Sequence, residues 1–336
     1  MNTEYSLIGT DEAGYGPFLG PLAVTATLWD VDAEIPPEMI YAALSPTVGV
    51  SPKDAAVAVT DSKKLYKTSV YKSLSGISPV EKTVLSMMAF LNRGTVPENI
   101  FEFLCGDASR EEREKLPWGN AELPFPLAHT AEEIGKTAEE IGRKMHSAGV
   151  FLRAAKSDLA FPERFNRETE ISGSKGVFLM ETTLKLAADF TRMVREQNSP
   201  LVEGNFAPRD IFIFCDKLGG RNFYLAPLTE FFPGTAFAII RESRDVSEYV
   251  HRDAAGTLTV RFQAKGESNI AVALASLMSK YLRELSMLGF NAWWREKIPG
   301  LRPTEGYPED ARRFLADIQQ TAETLGIPRE IFWRNR

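Results

Sequence analysis

The chain has 336 residues, of which 44% are hydrophobic and 25% charged, and its net charge is −6. This composition is that of an ordinary globular protein with a large core, and no apolar run is long enough to span a membrane. Two cysteines argue against a disulfide framework and a zinc cluster, and no secretory signal is recognisable, so we expect a cytoplasmic protein. The acidic balance disfavours a nucleic-acid partner but leaves room for a local basic face.

Two adjacent carboxylates, Asp11 and Glu12, follow a short apolar run at residues 5–8. A Gly-Tyr-Gly-Pro turn at 14–17 leads to a second apolar run at 22–29, which together predict a β-hairpin. In a turn, both carboxylates can face one pocket, where two anions repel unless a cation or a proton lies between them. A polar turn without function is the alternative interpretation.

A proline- and alanine-rich stretch at 32–58 predicts a surface excursion. It precedes the sequence Thr-Asp-Ser-Lys-Lys-Leu, in which Asp61 or Ser62 can cap a short helix. Lys63 and Lys64 then lie at the positive end of the helix dipole, which favours a bound anion such as phosphate nearby. Two solvated lysines remain the alternative.

The middle of the chain is informative in places. Residues 76–150 carry a mixed signal, except for an apolar stripe at helical spacing from residue 131 to 145. A strand is predicted at 150–154 and a helix at 175–195. The continuous apolar run 211–215 predicts a buried strand, with Asp216 at its carboxyl end, where functional carboxylates are often found.

The last third alternates between strands and helices. Strands are predicted at 235–240, 248–252 and 257–263, the last two forming a hairpin. A long amphipathic helix follows, with Ser268 as its N-cap and Gly289 as its C-cap. Glu267 therefore lies immediately before a helix, although capping alone could explain an acid there. A further helix is predicted at 310–325.

Motifs for serine hydrolases, phosphate loops and dinucleotide binding are missing from the sequence, and its three histidines are isolated. Four acids remain at the ends of predicted elements: Asp11, Glu12, Asp216 and Glu267. Oxygen ligands of this kind suit Mg²⁺ or Mn²⁺. Two such ions can activate water and stabilise the leaving oxygen in phosphodiester hydrolysis.

The first motif extends this hypothesis. Residues 9–17, Gly-Thr-Asp-Glu-Ala-Gly-Tyr-Gly-Pro, with Gly-Pro at 20–21, resemble the opening motif of ribonuclease HII, Asp-Glu-Ala-Gly-Arg-Gly-Pro followed by Gly-Pro. The resemblance continues, in the family's order, at residues 60–65, 265–267 and 273–280 and at Arg283, Gly306 and Tyr307.

The resemblance implies a ribonuclease H-like α/β fold, a mixed central sheet of about five strands flanked by helices. It implies one catalytic domain over 1–336, with insertions around 30–58 and 76–170 and a helical extension at 290–336. The implied activity is cleavage by two Mg²⁺ or Mn²⁺ ions at ribonucleotides in RNA/DNA hybrids or duplex DNA, and we expect a monomer. Another nucleic-acid structure as substrate, or binding without cleavage, are the alternatives.

By residue, the resemblance gives Asp11 and Glu12 as the first two metal ligands and Glu267 as the fourth, where the family has Asp. Asp216 is our choice for the third ligand, and Asp210 is its rival. The remaining residues are expected to bind substrate: Gly14, Tyr15, Gly16, Ser62, Lys63, Lys64, Lys265 and Tyr307. The glycine-rich turn would read the 2′-hydroxyl and Tyr307 would pack on a sugar, while Tyr15 replaces the arginine of the family motif.

Overall fold

The computed structural model describes residues 4–67, 69–197, 208–218 and 220–335, with the backbone but not the side chain of Glu267. The strands are β1 (Glu4–Ala13), β2 (Leu22–Asp32), β3 (Val48–Gly49), β4 (Val57–Ala58), β5 (Val150–Ala160), β6 (Ile211–Asp216), β7 (Ala238–Glu242), β8 (Val246–Asp253) and β9 (Gly256–Gln263). The helices are α1 (Ile40–Leu44), α2 (Ser62–Leu65), α3 (Ser78–Leu91), α4 (Ile100–Leu104), α5 (Asp107–Lys115), α6 (Ala131–Ala148), α7 (Pro162–Ile171), α8 (Lys175–Gln197), α9 (Leu225–Phe231), α10 (Ile270–Lys297) and α11 (Pro308–Thr324).

The main sheet has seven strands in the order β5-β2-β1-β6-β9-β8-β7. Strand β1 is antiparallel to β2 but parallel to β6, and β6 is parallel to β9, so the sheet is mixed. The predicted α/β class, with a mixed sheet flanked by helices, is confirmed. The expectation of about five strands is wrong, because the hairpin of β7 and β8 extends the sheet beyond β9.

Helix α10 packs closely against the middle of the sheet. A side chain on Gly9 of β1 would lie only 2.2 Å from the backbone of Ala271, so glycine permits this approach. The hydroxyl of Thr27 on β2 donates a 2.9 Å hydrogen bond to the carbonyl of Ala271. The start of α10 is thereby fixed beside the carboxyl-terminal half of β1.

Two predicted helix ends are wrong. Helix α10 has Asn269 rather than Ser268 as its N-cap, and it continues through Gly289 to Lys297. Gly289 serves packing instead, because a Cβ there would lie 3.3 Å from the carbonyl oxygen of Trp118. Within the described residues, no helix is both long and apolar enough to cross a membrane.

The stretch at 32–58 is more deeply packed than predicted. Ile40, Leu44, Val48 and Val57 are buried and belong to the same apolar cluster as α3 and α10. The prolines of this stretch interrupt regular structure, while its apolar residues cover one face of the sheet. A surface excursion is therefore the wrong description.

Candidate functional site

Asp11 and Asp216 lie side by side on two parallel strands. The register of β1 and β6 pairs Thr10 with Cys215, so Asp11 and Asp216 are the next residues in line. Residues in register on neighbouring parallel strands project from the same face of the sheet. Burial, together with the charges of both carboxylates, raises the pKa of the Cys215 thiol to about 12. Two predicted ligands from distant parts of the chain are thus neighbours.

The turn between β9 and α10 brings a third predicted position to Asp216. Lys265 has a left-handed backbone (φ 63°), uncommon for a non-glycine residue, which turns the chain sharply. The next amide, that of Gly266, donates a 3.2 Å hydrogen bond to Oδ1 of Asp216. The backbone of Glu267 follows directly in a 3₁₀ turn. Its side chain lies outside the described residues.

Glu12 follows Asp11 at the same end of the sheet. The predicted first strand ends at residue 8, but β1 pairs with β2 as far as Ala13, so both acids lie in a strand rather than a turn. Burial and the nearby charge of Glu12 raise the pKa of Tyr15, which places this carboxylate beside the glycine-rich turn.

The donor chemistry of these acids fits a hard cation. Carboxylate oxygens are the ligands that Mg²⁺ and Mn²⁺ prefer. Among the side chains that the structure describes, no group of three or more His, Cys, Asp or Glu residues is arranged to hold a metal ion. Asp11 and Asp216 therefore provide two ligands. The third would have to come from the side chain of Glu267, which lies outside the described residues.

The rival acid, Asp210, lies at the opposite end of β6. Its Oδ1 accepts a 2.7 Å hydrogen bond from the amide of Thr257, and its carbonyl accepts one from the amide of Ser6. At about 3.3 Å per residue, six residues of extended chain separate it from Asp216 by roughly 20 Å. A structural role explains Asp210.

An open groove with a volume of about 680 Å³ runs beside Glu12. Its lining residues are Glu12, Ala13, Gly14, Tyr15, Gly16, Pro17, Ser62, Lys63, Tyr66, Lys67, Ser69, Lys72, Lys280, Arg283, Glu305 and Tyr307. Five of these are cations and two are carboxylates. Although the chain as a whole is acidic, the groove is basic, as contacts with a polyanion require.

One wall of the groove is formed by residues 62–67 and 69–72, which include α2. Three side-chain hydrogen bonds attach it along α10: Ser276 to Ser62 at 3.3 Å, Tyr66 to Glu284 at 2.8 Å, and Asn291 to Tyr71 at 2.6 Å. As predicted from the sequence, Asp61 caps α2 by accepting from the amide of Lys63. The attachment leaves Lys63, Lys67 and Lys72 exposed on the groove side.

The opposite wall is the glycine-rich turn. Gly14 has φ +87°, and a Cβ there would lie 2.6 Å from Nε of Arg283, so no other residue fits. Arg283 is almost completely buried and donates a 2.8 Å hydrogen bond to the carbonyl of Glu305. Beneath the turn, the buried guanidinium of Arg334 donates to the carbonyls of Gly14, Pro17 and Gly20.

Tyr15 and Tyr307 present aromatic surface at the groove. Tyr307 is 51% exposed, and the guanidinium carbon of Arg283 lies 6.0 Å from the centre of its ring. The ammonium of Lys175 lies 4.7 Å from the centre of the Tyr15 ring, a cation–π contact. A cation from α8 thus stands beside the position where the family motif has arginine.

The predicted substrate-binding residues are placed in two groups. Gly14, Tyr15, Gly16, Ser62, Lys63 and Tyr307 line the groove. Lys64 is exposed on α2 but does not line the groove, and Lys265 lies in the turn beside Asp216. Sequence reasoning missed Lys67, Lys72 and Arg334. The recurrence of lysine at 63, 64, 67 and 72 was a local signal, whereas Arg334 had none.

No protein-family model matches the chain, and no curated protein matches its sequence. Its fold is similar to a chain in the structure of the PCNA:RNase HII complex from Archaeoglobus fulgidus (15% identity, TM-score 0.40, covering 98% of this chain and 94% of that chain). It is also similar to ribonuclease H2 from Pyrococcus horikoshii (13%, 0.36, 97% and 92%) and to Bst-RNase HIII with Mn²⁺ (14%, 0.37, 100% and 68%). Similarity at this level assigns no functional residue, so the candidate site is described from this chain's own residues.

Proposed function

We propose that the protein is a metal-dependent endonuclease of the ribonuclease H type, which hydrolyses phosphodiesters at ribonucleotides in RNA/DNA hybrids or in duplex DNA. The observation that carries this proposal is the pairing of Asp11 with Asp216 on neighbouring strands, at the end of the sheet where the next residue, Glu12, lines a basic groove with a glycine-rich wall. The ordered motifs of the sequence support it independently. The single-domain organisation, a monomeric state and a cytoplasmic location remain predictions.

Asp11, Glu12, Asp216 and Glu267 would hold two Mg²⁺ or Mn²⁺ ions. When bound, such ions supply an activated water and stabilise charge on the leaving oxygen. The groove lysines would hold the phosphates on both sides of the scissile bond and fix its position relative to the acids. This mechanism does not require a histidine as general base, which agrees with the three histidines being far from one another in the sequence.

The turn at 14–16 would select the ribonucleotide. Backbone N–H and C=O groups can bond the 2′-hydroxyl, which is both donor and acceptor and which distinguishes RNA from DNA. The exposed ring of Tyr307 would pack against the neighbouring sugar. Because Tyr15 and Lys175 together occupy the place of one arginine, a different nucleic-acid structure as substrate is the second candidate.

The deciding assay offers end-labelled duplexes to the native protein with Mg²⁺, Mn²⁺ or EDTA. One duplex contains a single ribonucleotide, another is an RNA/DNA hybrid, and a third is all DNA. Cleavage that requires both the metal and a 2′-hydroxyl supports the proposal. Metal-dependent cleavage of a different structure would support the second candidate, and tight binding without cleavage would refute both.

Asp11→Asn tests the site itself, with Asp210→Asn as a matched control at the other end of the sheet. We expect the first variant to lose cleavage by roughly 10²-fold or more, as when a group that stabilises transition-state charge is removed. The control should retain native cleavage, since Asn preserves the Oδ1 acceptor for Thr257. Native activity in folded Asp11→Asn protein would show that the site is wrong.

A further inference from the structure

Arg334 is an unusual residue for its surroundings. Its side chain is completely buried beneath the glycine-rich turn. Nε and Nη2 donate to the carbonyl of Gly20 at 2.8 and 2.5 Å, while Nη1 donates to the carbonyls of Gly14 at 2.5 Å and Pro17 at 3.4 Å. One planar group thus binds three carbonyls of one turn.

The free-energy cost of burying this cation makes its burial depend on hydrogen bonds from the turn. Burial and the nearby charge of Arg283 lower the pKa of Arg334 well below its usual value. A buried charge is unfavourable unless hydrogen bonds satisfy it. Here backbone carbonyls provide them, and the guanidinium carbon lies 4.5 Å from the centre of the Phe165 ring. The turn must hold its carbonyls inward for the arginine to remain buried.

Because the carbonyls of the turn point toward Arg334, peptide geometry also fixes the direction of the neighbouring N–H groups at the groove. In a planar trans peptide, the C=O and the following N–H point in opposite directions. Since the carbonyl of Gly14 points inward to Arg334, the N–H of Tyr15 points outward. Gly14, Tyr15 and Gly16 line the groove at that point. Arg334 therefore determines which backbone groups of the turn face a bound strand.

The segment that carries Arg334 is itself firmly docked. Trp333 forms a β-bridge with Leu19, and its carbonyl accepts a 2.8 Å hydrogen bond from Asn166. The amide of Arg334 donates to the carbonyl of Phe18. The backbone of Arg334 is thus held in place by hydrogen bonds, which fixes the position of its guanidinium beneath the turn.

We propose that Arg334 is a positioning residue that orients the glycine-rich turn for selection of the ribonucleotide. This inference rests on the proposed function, because it assigns the arginine a role in discrimination by that site. Lys cannot replace Arg here, since an ammonium is a point donor that cannot reach three carbonyls from one plane.

The test compares Arg334→Lys with Arg329→Ala. This control lies on the same segment, and its guanidinium carbon is 4.7 Å from the centre of the Trp333 ring. Binding in EDTA is measured for the ribonucleotide-containing duplex and the all-DNA duplex, and amide hydrogen exchange is measured for residues 14–20. Thermal unfolding shows that each variant is folded. A third variant, Arg334→Gln, removes the charge but keeps a donor.

We expect Arg334→Lys to bind the all-DNA duplex as the native protein does but to lose about tenfold of its preference for the ribonucleotide, with faster exchange in the turn. Arg329→Ala should match the native protein in both measurements. Unchanged preference and unchanged exchange in folded Arg334→Lys would overturn the inference. If the native protein has no preference in EDTA, the turn does not select the ribonucleotide and the inference is overturned, whereas the proposed function is decided separately by the cleavage assay.

Discussion

The hydroxyl of Tyr66 donates a 2.8 Å hydrogen bond to the buried carboxylate of Glu284 on α10. Burial would raise the pKa of Glu284, but the charges of Lys280 and Arg283 outweigh it and hold that pKa below its usual value. The ammonium of Lys280 also lies 4.0 Å from the centre of the Tyr66 ring. The ionised carboxylate of Glu284 thus attaches the segment with Lys63, Lys67 and Lys72 to helix α10.

Removal of this hydroxyl should loosen one wall of the groove. We expect Tyr66→Phe to lower the free energy of unfolding by about 1.5–3 kcal/mol, since it removes a hydrogen bond to a charged group and the acceptor of the Val70 amide. The control Tyr71→Phe loses a bond to the neutral Asn291 and should cost only about 1 kcal/mol. Denaturant unfolding measures both, and equal costs would contradict the importance given to Glu284.

The groove lysines should act through phosphates. Each of Lys63→Ala, Lys67→Ala and Lys72→Ala should reduce the slope of log affinity against log salt by about 0.9, the value for one lost phosphate contact. Lys64→Ala is the matched control, since Lys64 is exposed on the same helix as Lys63 but does not line the groove. Titration of a fluorescent duplex from 50 to 200 mM salt measures the slopes. A reduction for Lys64→Ala alone would place the nucleic acid elsewhere.

Two glycines of one turn should respond differently to alanine. Gly14→Ala introduces a left-handed alanine, which costs about 1–2 kcal/mol, and its Cβ would clash with buried Arg283. Gly16→Ala has nothing within 4 Å of its Cβ and no positive φ, so it should be tolerated. The temperature of thermal unfolding should therefore fall in Gly14→Ala alone. Equal effects would contradict the described conformation of the turn.

Glu112 should make stability depend on pH. Burial raises the pKa of this carboxyl to about 7, although Arg164 and the amide of Phe161 oppose the shift. The folded state thus holds a proton that the unfolded state releases near pH 4.5, so this stabilisation is complete below that pH and is lost as the pH rises through about 7. We expect the loss to be no more than about 3 kcal/mol.

Glu112→Gln should remove this part of the pH dependence, because the amide does not titrate. Its neighbour Glu111, which is exposed, provides the control Glu111→Gln. Chemical denaturation at pH 5, 6, 7 and 8 should give a flatter profile for Glu112→Gln than for the native protein or the control. Three parallel profiles would show that Glu112 titrates as an ordinary carboxyl.

Local patterns located the strands of the main sheet and the helices at 131–148 and 175–197 because each has a strong apolar period, but they ended β1 five residues and β5 six residues too early. The acid after the run 211–215 was found for the same reason, since a buried strand has a recognisable end. The bounds of α10 were mistaken because glycine is a helix-end signal in isolation, and only the approach of Trp118 explains Gly289 inside the helix. Tertiary packing overrode the local preference.

Contacts between distant segments could not be predicted. The attachment of Tyr66 to Glu284 spans 218 residues and that of Arg334 to Gly14 spans 320. Neither pair shares a motif or a period, so the sequence offered no reason to connect them. The resemblance to a family pointed to the acids and the turn as candidates. It did not point to Arg334 beneath the turn, because none of the resembling motifs includes this residue.

The 320-residue separation between Gly14 and Arg334 also has a consequence for protein synthesis. At about 5–20 residues per second, Arg334 is made roughly 15–60 s after the turn that it supports. Over that time the nascent polypeptide already carries Asp11 and Glu12 but lacks the donor that shapes the turn. The turn can therefore take its final shape only after nearly the whole of the given sequence has been synthesised.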